Sequence, residues 1–295
     1  MSVTALVVAA PAKLNLFLHV VGRRPDGYHE LESLMVLLDF GDMLTLRVRD
    51  DGEIRRSGGP PGVAPDDDLC VRAARLLQTE SGCALGVDIT LEKRIPLGSG
   101  MGGGSSDAAS ALLALNRLWR LGLSRAALMS LALQLGADVP FFVFGQPALA
   151  AGIGERLVAV TLPPLTIAVA VPPVAVPTAS IFAAAELKRD TPRVDMAAFA
   201  LDFGRNDLQS VALVRHPQIG VCMEALNGAA RDLGLGEQCA RARMSGSGAS
   251  TFSILPQSSF DTRICAALAP RVPEGTLCLT AQTLSRHPLY GLAQK

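Results

Sequence analysis

Eleven consecutive residues, Pro96, Leu97, Gly98, Ser99, Gly100, Met101, Gly102, Gly103, Gly104, Ser105 and Ser106, carry five glycines between a strand-like segment and an alanine-rich helical pattern. Glycine accepts positive φ and lets the backbone approach a ligand closely, which leaves main-chain amides free to donate. A helix starting directly after the run adds unpaired N–H groups and the positive end of its dipole, and Ser105 and Ser106 add hydroxyls. This chemistry suits phosphate, and a triphosphate in particular. A Walker loop requires a lysine after its last glycine, and none lies in the run. The dinucleotide fingerprint is met only loosely by Gly98 to Gly103, with no acidic residue near position 120, so hydride transfer stands as a minor alternative. A flexible glycine linker is disfavoured by the strand and helix that bracket the loop.

Other segments hold polar residues in settings that suggest chemistry. Lys13 and Asn15 lie in Pro11-Ala-Lys-Leu-Asn-Leu, Asp138 in Gly136-Ala-Asp-Val-Pro, and Tyr28 and His29 directly after Asp26-Gly. Thr178 and Phe182 stand in Pro177-Thr-Ala-Ser-Ile-Phe, and Ser245-Gly-Ser-Gly offers a second set of glycine amides at Gly246, Ser247 and Gly248. Taken singly, each has an ordinary structural reading. An aspartate before Val-Pro forms turns, Ser-Gly-Ser-Gly is a β-turn, and Phe182 is a helix anchor.

The elements that must position these residues are mixed. Strand patterns cover Ala12 to Val21, Leu31 to Leu38 and Met43 to Arg49, the last ending at the turn Asp50-Asp51-Gly52. The run Asp66-Asp67-Asp68 reads as an N-cap for a helix over Leu69 to Leu77, followed by a strand from Gly86 to Ile95. Helices are expected from Ser105 to about Trp119 and from Ser124 to Leu133, with Asp138 in a turn before the apolar run Phe141 to Phe144. A proline-rich stretch from Pro163 to Pro177 flanks a strand over Leu165 to Val171 and places a domain boundary, giving residues 1–162 and 163–295. Beyond it come helical patterns around Ile181, Asp207 and Ile219 to Leu233, two strand signals around Ser245 to Gly248, a helix from Asp261 to Leu268 and a strand from Thr276 to Thr280. The class is α+β, with no internal repeat.

Composition narrows the partners. Lysine plus arginine number 27 and aspartate plus glutamate 27, so no net field recruits nucleic acid or a membrane surface. Prolines interrupt the longest apolar stretch, Leu157 to Val176, so no membrane span is expected. The six cysteines have no CxxC pair and no histidine at metal-ligand spacing, which fits core thiols in a reducing compartment and assigns no protein metal site. The first residues lack a signal-peptide pattern, so a cytoplasmic location is expected.

Three segments in order, Pro11-Ala-Lys-Leu-Asn-Leu, Pro96 to Ala109 and Met244-Ser-Gly-Ser-Gly-Ala, resemble the three motifs of the GHMP kinase superfamily. Asp26-Gly-Tyr-His, Gly136 to Pro140 and Pro177 to Phe182 sharpen the resemblance to its branch acting on a cytidine-diphosphate-linked methylerythritol in non-mevalonate isoprenoid synthesis, over about residues 9 to 290. The resemblance implies a two-domain GHMP kinase fold: an N-terminal ribosomal-protein-like β-α domain and a C-terminal ferredoxin-like α+β domain, with the active site in the cleft between them. It implies ATP as co-substrate, Mg²⁺ carried with the ATP, a small-molecule acceptor and a monomer or homodimer. Lys13 and Asp138 take the catalytic roles, and residues 96–106 bind ATP. Asn15, Tyr28, His29, Asp138, Thr178 and Phe182 bind substrate, with Tyr28 and Phe182 bracketing cytosine and His29 on its edge. The loop Gly246, Ser247 and Gly248 closes the same cleft from the second domain. One departure is Asp68, where the family commonly shows an asparagine contacting adenine; an ionised aspartate accepts hydrogen bonds and donates none. The rivals are a GHMP kinase for mevalonate, homoserine or a sugar, and a non-catalytic nucleotide-binding module.

Overall fold

The computed structural model describes residues 4–194, 204–256 and 263–293. It opens with a long antiparallel hairpin of β1 (Ala5–Arg23) and β2 (His29–Arg49). The connecting turn is built around Asp26, whose carboxylate accepts the Tyr28 amide at 3.1 Å, and Gly27 at φ +89°. Residues 12–20 of β1 are buried on both faces, which explains the near-continuous apolar run there.

The two strand patterns read at Leu31 to Leu38 and Met43 to Arg49 are one strand. Phe40-Gly41-Asp42 looks like a break in sequence, yet the chain stays extended because Gly41 passes close to β1. A Cβ on Gly41 would lie 2.2 Å from the Ala10 carbonyl oxygen. Opposite it the register slips between Pro11 and Lys13, and again between Asn15 and Phe17. Such bulges re-aim side chains, and here they flank Lys13 and Asn15.

Along its length β2 pairs in turn with β4 (Gly86–Glu92), β5 (Ala148–Gly152) and β10 (Leu277–Leu284). Strand β3 (Ile54–Gly58) runs parallel to β4, and β6 (Arg156–Ala159) antiparallel to β5. Helices α1 (Leu69–Ser81), α2 (Gly103–Leu118), α3 (Arg125–Leu135) and α4 (Val139–Phe144) contribute to the first core. Of the aspartate run only Asp68 caps α1, accepting the Cys70 amide at 2.9 Å, while Asp66 and Asp67 form a short 3₁₀ turn with Pro65.

In the second half, β7 (Thr166–Val171) lies between β10 and β9 (Thr251–Leu255), and β8 (Arg243–Met244) pairs with β9. Helices α5 (Thr178–Phe182), α6 (Gln209–Arg215), α7 (Pro217–Asp232) and α8 (Arg263–Leu268) complete it. Residues 261–262, where α8 was expected to begin, lie outside the described residues. The last strand reaches Leu284 rather than ending near Thr280, because its final residues cross to β2, with Thr283 opposite Leu38 and Leu284 opposite Leu37. One sheet therefore runs through both halves. The chain end then packs back on the first half, where the His287 amide donates to the Gly145 carbonyl and Arg125 donates to the Tyr290 carbonyl. All six cysteines are free thiols, and no described helix is long and apolar enough to cross a membrane.

Candidate active site

The glycine run leaves the region of β4 through Lys93 and Ile95, and both are anchored to β2. Asp42, fully buried, accepts from the Ile95 amide at 2.8 Å, from the Arg94 amide and from the Lys93 ammonium. Lys93 also donates to Asp107 on the first turns of α2 at 2.7 Å. Strand end and helix start are thus clamped together on either side of the loop. Burial pushes the Asp107 carboxyl up to about 7, partly offset by the Lys93 ammonium and reinforced by Asp42. Burial alone would lower Lys93, but the two carboxylates outweigh it and hold its pKa above the ordinary value. Between these clamps Gly98, Gly100 and Gly102 all take positive φ, and Gly102 is the residue from which α2 starts.

The third segment docks on this loop at closer range than any side chain would allow. A Cβ on Gly100 would lie 2.5 Å from the Ser245 carbonyl oxygen and 2.8 Å from that of Gly248. The Ser250 amide donates to the Ser99 carbonyl at 2.9 Å, and the Asn15 amide to the Ser245 hydroxyl at 3.0 Å. Asn206, buried ahead of α6, donates to the Met244 and Gly246 carbonyls at 2.8 and 2.7 Å and fixes the loop's shape.

These three segments enclose a cleft of about 450 Å³. Lys13 reaches it from β1 and is only 3% exposed; its Nζ donates to Asn15 Oδ1 at 2.6 Å and lies 3.5 Å from Asp138 Oδ2. Asn15 donates in turn to the Ser33 hydroxyl at 2.7 Å, and Ser33 to the Phe17 carbonyl at 2.6 Å. This relay leaves the ammonium little rotational freedom. Asp138 precedes α4, makes no capping bond of its own, and has a half-exposed carboxylate facing the cleft. A fixed cation beside a carboxylate, in a cleft lined by glycine-rich backbone, can orient a hydroxyl, take its proton and neutralise a transferring phosphoryl group.

Most of the residues expected from sequence line this cleft: Lys13, Asn15, Asp138, Thr178, Phe182, Gly246, Ser247 and residues 96–100 and 102–105. Thr178 and Ser247 share a hydroxyl hydrogen bond of 2.8 Å across it. Others do not line it. The Met101 side chain is buried in the second core, and its carbonyl accepts the Lys13 amide at 3.0 Å. Ser106 is buried with its hydroxyl donating to the Pro11 carbonyl at 2.6 Å, so that proton is already committed to the protein. Gly248 serves the close approach to Gly100. Tyr28 is 60% exposed on the hairpin turn, and the ring stacked on Phe182 is that of His29, with centroids 5.1 Å apart. Asp68 spends one oxygen on the Cys70 amide and the other on Arg56, 2.7 Å away and equally buried.

Comparison with known proteins fits this geometry. Residues 68–146 match the model described as GHMP kinases N terminal domain. The chain is 52% identical over 283 residues to 4-diphosphocytidyl-2-C-methyl-D-erythritol kinase of Azoarcus sp., covering 96% of this chain and 95% of that protein. It is 50% identical over 282 residues to the enzyme of the same name from Aromatoleum aromaticum, covering 96% and 94%. The chain belongs to the 4-diphosphocytidyl-2-C-methyl-D-erythritol kinase family. A crystal structure of 4-(cytidine 5'-diphospho)-2C-methyl-D-erythritol kinase superposes with a TM-score of 0.75 at 35% identity, covering 94% of this chain and 99% of that one. As a member of this kinase family the chain is a phosphotransferase that uses ATP and a small-molecule alcohol, in the GHMP kinase fold.

Within this kinase fold, several site-building residues carried no usable signal in sequence. Ser33 sits in an ordinary strand, and Asn206 contacts loop carbonyls about forty residues away. Only the Arg205-Asn-Asp cluster, three polar residues ahead of an apolar helix, could have drawn attention to Asn206.

Proposed function

We propose that this chain transfers the γ-phosphoryl group of ATP to the 2-hydroxyl of 4-diphosphocytidyl-2-C-methyl-D-erythritol, giving the 2-phosphate and ADP, in non-mevalonate isoprenoid synthesis. The observation that carries this reading is the Lys13–Asp138 pair, 3.5 Å apart in a cleft that the glycine run also lines.

The triphosphate lies along residues 96–105, where the positive-φ glycines and the start of α2 present main-chain amides. The acceptor hydroxyl sits between Asp138 and the γ-phosphorus. As its oxygen bonds to phosphorus and the bond to the bridging oxygen of ADP breaks, the hydroxyl proton passes to the Asp138 carboxylate. Lys13, held in place by Asn15 and Ser33, stabilises the charge that develops on the attacking oxygen and the phosphoryl group. Thr178, Ser247 and Asn15 orient the diphosphate and polyol, while Phe182 packs on the base and His29 meets its edge.

A magnesium ion carried on the phosphates fits this donor set. No cluster of three metal-ligating side chains occurs among the described residues, and a hard cation that retains several waters needs only one or two protein oxygens. Ser105 faces the cleft and would supply one, whereas the Ser106 hydroxyl is engaged elsewhere. When bound, the ion neutralises phosphate charge. Free thiols throughout agree with a cytoplasmic enzyme.

The test is substrate comparison with purified enzyme. ATP-dependent turnover should require the cytidine-linked compound, and equal turnover of mevalonate or of free methylerythritol phosphate would refute the reading.

A further inference from the structure

Arg189 makes four hydrogen bonds behind Phe182, a residue that lines the cleft. Its Nε donates to His29 Nε2 at 3.0 Å, and its terminal nitrogens donate to the carbonyls of Phe182 at 3.1 Å, Ala184 at 2.6 Å and Leu187 at 2.8 Å. Phe182 lines the cleft, and the His29 ring stacks on it at an interplanar angle of 30°. One guanidinium therefore ties together the end of α5, the segment after it, and the first residue of β2.

The chemistry of the Arg189–His29 contact is one-directional. A guanidinium N–H donates and accepts nothing, so His29 Nε2 must offer a lone pair. The ring is then neutral with its proton on Nδ1. Burial, followed by the positive charges of Arg189 and Arg23, lowers the His29 pKa, which agrees with a neutral ring. Among the described residues Nδ1 donates no hydrogen bond, so that N–H is not committed within the protein.

We infer that Arg189 is a positioning residue for nucleobase selection, holding His29 as an Nδ1–H donor and fixing Phe182 beside it. This rests on the cytidine reading above. Cytosine presents two adjacent acceptors, O2 and the unprotonated N3, whereas uracil carries a proton on N3. With the base edge placed so that N3 meets His29 Nδ1, an obligate donor favours the first base and leaves a donor facing a donor with the second. The guanidinium does not touch the ligand; it decides which ring nitrogen does.

The test uses the full chain, in three readouts. Long-range ¹H–¹⁵N correlation of the histidine rings should place the His29 proton on Nδ1 in the wild type; a proton on Nε2 overturns the inference without any substitution. In Arg189→Met, KM for the cytidine compound should rise by about tenfold while KM for ATP stays within about twofold, and the preference over the uridine-linked counterpart should shrink by about tenfold. Unchanged preference, or an equal rise in KM for both bases, overturns it. Arg189→Lys, which keeps a donor without the fork, should recover part of the preference. Should Arg189→Met fold poorly, His29→Asn supplies an amide N–H near the Nδ1 position with no need of Arg189. In that background the Arg189→Lys substitution should cost nothing further in base preference, and a further loss as large as in the wild type contradicts the coupling. A wild-type enzyme inactive on the cytidine compound refutes the parent reading; an active one whose preference ignores Arg189 refutes only this inference.

Discussion

Replacing Gly100 by alanine asks whether the glycine run exists for close approach of two loops or only for flexibility. At φ +75° an L-residue is strained, at a cost of about 1–2 kcal/mol. The added Cβ would also lie 2.5 Å from the Ser245 carbonyl oxygen, and 3.0 Å is the least that real Cβ atoms accept, so the loops must part by at least 3.0 − 2.5 = 0.5 Å. The obstructing atoms are backbone and cannot rotate away. Overpacking of this kind costs about 1–3 kcal/mol, so the total loss of stability should be about 2–5 kcal/mol. Parting the loops also strains the Ser250 amide to Ser99 carbonyl bond and shifts the glycine-run amides proposed above to hold the phosphates. A misplacement approaching 1 Å near reacting groups costs about 10²-fold, so kcat/KM should fall at least about tenfold. Urea denaturation and steady-state kinetics read the two effects separately. Gly228, inside α7 with open space around its Cβ position, is the control: alanine there should stabilise by roughly 0.5–1 kcal/mol. Wild-type stability and kcat/KM in Gly100→Ala would refute the close-approach argument.

Two further outcomes concern buried charged or titratable groups. His287 is lowered to about 3 by burial and by the Arg125 charge, while its Nδ1 accepts the Leu289 amide. Above the unfolded pKa of 6.5 both states are neutral; below it the unfolded chain takes a proton the folded one refuses until about pH 3, so stability falls across that window. His287→Asn keeps an acceptor for the amide without a titrating ring. At about pH 4.5 it should gain roughly 2–3 kcal/mol relative to the wild type compared with neutral pH, and parallel pH profiles would contradict the assignment. Lys93→Met strips the cation from Asp42 and Asp107 and should cost about 3–5 kcal/mol by urea denaturation, less in mild acid where a carboxylate takes up a proton. A loss below about 1 kcal/mol at neutral pH would mean the trio does not clamp the loop.

The sequence carries those parts of the site that depend on local chemistry. A glycine run between a strand and a helix declares itself because backbone freedom is encoded residue by residue, and Lys13 and Asp138 stand within short segments of distinctive spacing. Commitments made at long range are not legible in the same way. Nothing near Ser106 says that its hydroxyl will meet Pro11, and nothing near Asp68 says that Arg56 will occupy its second oxygen. Gly41 reads as a strand break because its reason for being glycine lies on the neighbouring strand. The crossing of β10 onto β2 likewise depends on a partner more than two hundred residues away, so the sheet that joins the halves was invisible to periodicity.

In the proposed mechanism Asp138, set beside Lys13, takes the proton of the attacking hydroxyl. Asp138→Asn keeps the shape and removes the base, so single-turnover phosphorylation of the cytidine compound at saturating ATP measures that step directly. That rate should fall about 10²–10⁴-fold with substrate affinity little changed. A variant that transfers the phosphoryl group at the wild-type rate would contradict it.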